Sequence, residues 1–284
     1  NFIAVRRWRT ARDSSGIRQN VPACVEAELA IVMIALLTAA SLTSQPPAID
    51  VQTEHASAAE VLAFLAPKKP VFIPPPHDAL LASATSTSDA FALPGAIERV
   101  QNTFNHNIAG LLVLVIAVAA ALDRTGRIAV ARHWPLLFLT LAAFLFVFAE
   151  PTVWPLGSEG FWSTLAVPGV LQHRLATALV VGLALAEWRV RVGRLSATRW
   201  RFVFPVLCVA GGAMLLTHSH SVFATRSEFL IELSHGLLGL LAVLIGVGRW
   251  LELRLAEPAN RAAGLLWPVC LTAVGLMLLF YREN

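Results

Sequence analysis

Long uncharged apolar runs closed by arginine dominate this chain. Several extend for about 18 residues or more, and at about 1.5 Å per residue a helix of that length crosses a hydrocarbon layer of roughly 30 Å. A backbone in lipid finds no water to bond, so each run must form a helix that satisfies its own N–H and C=O groups. The runs fall at about 25–42, 104–122, 134–150, 169–187, 202–218, 229–248 and 263–281. They predict an all-α fold, a polytopic transmembrane bundle of about seven spans. A composition of 56% apolar and 14% charged residues agrees, since no soluble domain needs its apolar residues gathered in such blocks.

Charge placement sets the expected orientation. The formal net charge of +4 might suggest nucleic acid, but the basic residues stand at block ends rather than on one solvent face, and nucleic acid is excluded as a partner. Residues 1–20 carry Arg6, Arg7, Arg9, Arg12 and Arg18. The connections at 123–133, 188–201 and 249–262 carry Arg124, Arg127, Arg132, Arg189, Arg191, Arg194, Arg199, Arg201, Arg249, Arg254 and Arg261, whereas those at 151–168 and 219–228 hold only Arg226. By the positive-inside rule the chain starts in the cytoplasm and ends outside, with the lipid bilayer as its first partner. Trp134, Trp154, Trp162, Trp188, Trp200 and Trp250 lie near span ends, as interfacial belts do.

Three segments follow. Residues 1–44 form a basic segment and a first helix; 45–100 form an outer loop rich in proline, alanine and serine; and 101–284 form a six-helix membrane unit. Within the loop, Ala59 to Leu65 can make a short amphipathic turn and Val71-Phe72-Ile73 an extended stretch. The first residue is Asn1 rather than Met, which suggests that an N-terminal part is missing or cleaved. Cys24, Cys208 and Cys270 are far apart and read as packing residues rather than as a disulfide framework.

Histidines stand out against this topology. His106 opens one span on its outer side, His173 opens another, His218 and His220 close a third, and His235 lies about two turns into a fourth. Four helices thus place imidazoles at one depth, while His133 sits at a cytoplasmic end and His55 and His77 lie in the outer loop. Small residues share these faces: Gly110 follows His106 by one turn, Gly211 and Met214 precede His218, and Gly239, Ala242 and Gly246 follow His235. Small faces let helices approach closely, so the histidines are expected to point into the bundle. In Glu232-Leu-Ser-His235 the i, i+3 spacing sets a carboxylate beside an imidazole, as a ligand or as the acceptor that fixes its tautomer.

Imidazoles accept copper, zinc, nickel or haem iron, and divalent affinity peaks at copper. Met214 adds a soft sulfur, although with three methionines in the chain no methionine-lined conduit is expected. The expected metal set is His106, His173, His218, His220, His235, Glu232 and Met214. A b-type haem held by histidines on two facing helices is the alternative, although His106 and His173 are expected close to the surface.

The stretch Val21-Pro-Ala-Cys-Val-Glu-Ala-Glu28-Leu, through Leu37-Thr38-Ala39 and Leu42-Thr43 to Pro46-Pro47-Ala48, resembles the last helix of the CopD/PcoD-type copper-resistance membrane domain. Residues from about 101 to 284 resemble the histidine-bearing region that follows it in bacterial members. The resemblance rests on Asn105-His106, Trp134-Pro135, Trp154-Pro155-Leu-Gly, Leu171-Gln172-His173-Arg174, Leu216-Thr217-His218-Ser219-His220, Ile231-Glu232-Leu-Ser-His235 and Arg249-Trp250-Leu-Glu-Leu-Arg254. It implies a multi-pass protein of the bacterial inner membrane engaged in copper transport, delivery or resistance, with copper ion and a periplasmic copper-binding protein as partners. Most of the CopD-like domain, which would precede residue 20, is absent from this sequence. Transport or metal binding is expected rather than catalysis. A haem b or copper redox protein, and a non-catalytic subunit of a larger membrane complex, are the competing readings.

Overall fold

Where a chain leaves water it has to close its own backbone hydrogen bonds, and each apolar block does so as a helix. The computed structural model describes residues 15–43, 56–86, 95–195, 198–216 and 226–283. Its α-helices in chain order are α1 (Ser15–Thr43), α2 (Ala58–Leu65), α3 (His77–Ser86), α4 (Ala96–Arg124), α5 (Leu137–Phe148), α6 (Phe161–Thr164), α7 (Pro168–Arg191), α8 (Val203–Leu216), α9 (Arg226–Arg254) and α10 (Ala259–Leu279). Short 3₁₀ turns at Ala129–Leu136 and Thr198–Phe202 lead into α5 and α8. Six of these helical stretches are long and apolar enough to cross a membrane: Ala96–Arg124, Ala129–Phe148, Pro168–Arg191, Thr198–Leu216, Phe229–Arg254 and Ala259–Leu279. The chain is therefore an all-α, multi-pass membrane protein. The expected first span, 25–42, lies within α1, a continuous helix of 29 residues.

Six helices close a ring. α4 packs on α5, α5 on α7, α7 on α8, α8 on α9, α9 on α10, and α10 returns to α4. α1 lies outside the ring against α9 and α8. Two contacts in the ring depend on missing side chains. A Cβ on Gly110 of α4 would lie 2.2 Å from the backbone nitrogen of Leu279, and one on Gly239 of α9 would lie 2.8 Å from Leu216 and 3.0 Å from the Gly212 carbonyl of α8. Both glycines lie one turn past a histidine, so the small faces expected beside His106 and His235 do bring helices together there. Gly212, rather than Gly211, makes the close approach on α8; Gly211 has only an ordinary contact with Leu179.

The two ends of the ring differ. At one end, a core of Trp134, Phe204 and Trp267 is covered by charge. The two indoles stack at 5.8 Å, and the Arg191 guanidinium lies 4.8 Å over Trp134. Glu252 accepts from Arg124 at 2.5 Å, from Arg249 at 2.8 Å and from Trp267 Nε1 at 2.8 Å. Glu187, 1% exposed, accepts from Arg191, which also pairs with Asp123. Charged residues of α4, α7 and α9 that the sequence put at the ends of separate blocks thus meet in one network, the basic end.

The opposite end is roofed by the segment expected as a loop. α2 starts on a reciprocal cap, with Glu60 Oε2 accepting from Ser57 N–H and Ser57 Oγ accepting from Glu60 N–H. Residues 71–73 are non-helical, as expected. Two expectations change here. The 45–100 stretch contains two helices and the first residues of α4, and α4 begins at Ala96 rather than near 104. Hydropathy alone misplaced that start, because the first turns are polar and are satisfied by protein. Glu98 Oε2 accepts from Gly95 N–H, while Gln101 and Asn105 donate to the Phe148 carbonyl.

Candidate metal centre at the histidine end

Because α4 starts early, His106 lies ten residues into the helix instead of opening it. The side chain is half-buried within the bundle end. His235 lies in the third turn of α9, and the two imidazoles meet edge to face with ring centres 5.9 Å apart. Two rings that share one ion at about 2 Å per metal–nitrogen bond have centres at most roughly 6 Å apart, so 5.9 Å lies at the outer limit, which only a wide N–metal–N angle reaches. Each ring is held the same way. His106 Nδ1 donates to the Asn102 carbonyl at 2.7 Å, and His235 Nδ1 donates to the Ile231 carbonyl at 2.8 Å. A carbonyl can only accept, so Nδ1 carries the proton and Nε2 carries the lone pair in the neutral ring, the tautomer a metal ligand needs.

The acceptor that fixes the His235 tautomer is therefore the Ile231 carbonyl, and not Glu232 as the i, i+3 spacing suggested. A helix offers the i−4 carbonyl to any histidine whose ring folds back along its own axis, and here that backbone acceptor takes Nδ1.

Tyr281, the single tyrosine of the chain, packs its ring on His106 at 4.3 Å between centres and meets Phe64 of α2 edge-on at 6.0 Å. Ser234 is the polar side chain beside the phenol. Its hydroxyl is committed to the Ile231 carbonyl, and among the described residues no well-formed hydrogen bond reaches the Tyr281 oxygen. Asn107, fully buried, locks this arrangement. Its Oδ1 accepts from Val71 N–H at 2.6 Å, and its Nδ2 donates to the carbonyls of Leu278 at 3.1 Å and Tyr281 at 2.8 Å. Lys68 N–H donates to the Phe280 carbonyl and Glu283 N–H to Thr103 Oγ1, so the roof and the segment after α10 are both stitched to α4 around His106. Burial pushes the Glu283 carboxyl above the usual carboxylate range, with Glu98 adding to this and Asn102 and Arg99 opposing it.

His173 stands apart from the pair. Its Nδ1 meets Glu150 Oε1 at 2.5 Å. It remains within electrostatic reach of both His106 and His235. Met214 is half-buried on α8, and Glu232 half-buried on α9. His218, His220 and His55 lie outside the described residues. Among the described residues, no three histidine, cysteine, aspartate or glutamate side chains converge in a group able to hold a metal ion. The expected five-histidine cluster is thus represented by one close pair and one histidine near it. Of the other histidines, His77 starts α3 with Nε2 at 3.2 Å from the Leu156 carbonyl, and His133 accepts from Trp188 Nε1 at 3.0 Å.

Sequence reasoning missed Tyr281, Glu150 and Asn107. The lone tyrosine at the close of the last block and the lone acid at the close of the second outer-going block were the available signals. Nothing local marks Asn107, whose partners lie 36, 171 and 174 residues away. No protein-family model, curated protein or solved structure matches this chain.

Proposed function

We propose that this protein handles copper as a cargo ion in the bacterial inner membrane, serving transport, delivery or resistance, through an imidazole site at the end of the bundle that faces the periplasm. The observation that carries the reading is the His106–His235 pair. Two helices bring imidazole ring centres to 5.9 Å, and each ring donates its Nδ1 proton to a backbone carbonyl, which makes Nε2 the lone-pair nitrogen of the neutral ring. Imidazole nitrogen suits copper, and the divalent affinity order peaks there. The resemblance of the histidine-bearing stretches to the CopD/PcoD-type family points to the same metal.

Two coordinating nitrogens make an incomplete site for a divalent ion. His218 and His220, two other expected imidazole ligands, lie outside the described residues. The orientation rests on arginine asymmetry: Arg124, Arg191, Arg249 and Arg254 all belong to the end opposite the histidines, the end expected in the cytoplasm.

Metal analysis of the purified protein tests the reading. Wild type is expected to carry copper, and the double variant H106A/H235A to lose it. Equal copper in both would sink the proposal. An absorption spectrum taken on the same sample separates a second chemistry, since a Soret band would make the two imidazoles haem ligands instead.

A further inference from the structure

Glu150 has no role in the site described so far, yet it holds a histidine in a specific way. Glu150 follows the end of α5 by two residues and His173 sits in the second turn of α7, so the contact ties the exit of one ring helix to the start of another. Oε1 meets Nδ1 at 2.5 Å. A carboxylate on Nδ1 fixes the ring so that Nε2 is the lone-pair nitrogen of the neutral imidazole, the arrangement found behind metal-binding histidines. His106 and His235 have only neutral carbonyls in the same place.

Exposure separates the two places as well. The His173 side chain is 49% exposed and Glu150 19% exposed, whereas His106 and His235 are half-buried beneath the roof formed by α2 and the residues after it. Of these three imidazoles His173 is the most exposed, and it stands within electrostatic reach of both inner rings.

The dyad is also built rigidly. Arg174, next in the chain, donates from Nη1 to the Phe146 carbonyl at 2.6 Å and from Nη2 to the Trp154 carbonyl at 3.0 Å, and lies 4.4 Å over the Phe146 ring. It clamps the end of α5 and the turn beyond it onto α7. The Glu150–His173 contact is therefore fixed by the fold with no ion present.

We propose that Glu150 and His173 form an outer capture station, at which a copper ion is first bound by His173 Nε2 and then passed to the His106–His235 pair. Glu150 is the positioning residue of the station and does not itself bind the ion. One imidazole is too few ligands for retention, so the station exchanges quickly and sets the rate of loading, while the inner pair sets how much is held. The inference rests on the copper reading above.

Loading kinetics test it on the full chain in nanodiscs. Copper(II) is supplied from a coloured chelator, and both the rate of transfer and the final copper per chain are recorded. H173A is expected to load on the order of tenfold more slowly with unchanged final copper, and E150A to slow by a similar factor, as loss of such partners usually does. E150D, which keeps the carboxylate, should recover much of the rate. Wild-type rates in both H173A and E150A would overturn the station, and so would loss of bound copper in H173A, which would make His173 a ligand of the inner site. Retention of copper by H106A/H235A is a separate result that defeats the copper reading of the pair. Should H173A fail to fold, as judged by its melting curve, H173Q gives the same readout.

Discussion

Polar groups are answered in different ways at the two ends of this bundle. At the basic end, side chains answer side chains: Glu252 holds two arginines and an indole, and Arg191 is shared between Glu187 and Asp123. At the histidine end, the imidazoles and Asn107 are answered largely by backbone carbonyls. Ion pairing neutralises a group and uses up its bonding capacity. A backbone carbonyl orients an imidazole through one nitrogen and leaves the ring's ligand nitrogen defined. The first arrangement closes an end of the protein, and the second sets the tautomer of each imidazole.

The contrast predicts where stability resides. Replacing Glu252 by leucine strips partners from Arg124, Arg249 and Trp267 together, and should cost about 3 kcal/mol or more in unfolding titrations in mixed micelles. A loss under about 1 kcal/mol would mean that the basic end is no structural clamp. Next in size is G110A, whose new methyl has to enter backbone at Leu279. It should cost about 1–3 kcal/mol and separate Tyr281 from His106, visible as a change in the tyrosine fluorescence environment. The double variant H106A/H235A should lower stability by no more than about 2 kcal/mol, one neutral hydrogen bond per histidine, while removing bound copper. If instead it unfolds the protein, the histidine end is a structural element like the other.

The smallest effect concerns pH. Because burial raises the Glu283 carboxyl in the folded protein, its protonated form is favoured there more than in the unfolded chain. Its contribution is fully present below an unfolded value of about 4.3 and is lost as the pH rises through the raised folded value. Glutamine at 283 mimics the protonated form, so it should flatten that decline by less than about 1 kcal/mol, checked by melting curves on either side of the window. A steeper decline in the variant would reverse the sign assigned to the group.

Much of this layout could be read from the chain. Apolar run length gave the helices because hydrocarbon admits little else, and arginine placement gave the basic end. Gly110 and Gly239 marked the close packing beside the histidines because spacing on a helix face is a local property. What stayed hidden depends on distant partners or on residues that satisfy polar groups with protein. The start of α4 looked like loop because Gln101 and Asn105 are polar, yet both bond Phe148 across the bundle. Likewise, spacing pointed to Glu232 as the partner of His235, while the backbone carbonyl one turn back took that place.

Asn107 carries a consequence for biogenesis. Its amide is satisfied by carbonyls that the ribosome delivers 171 and 174 residues after it. Until those residues arrive, Asn107 Nδ2 lacks both carbonyls that satisfy it in the finished bundle. The basic end can begin to knit once α7 and α9 are made, but the surroundings of His106 can be finished only after α10 has been threaded. An immature chain therefore lacks the completed histidine end.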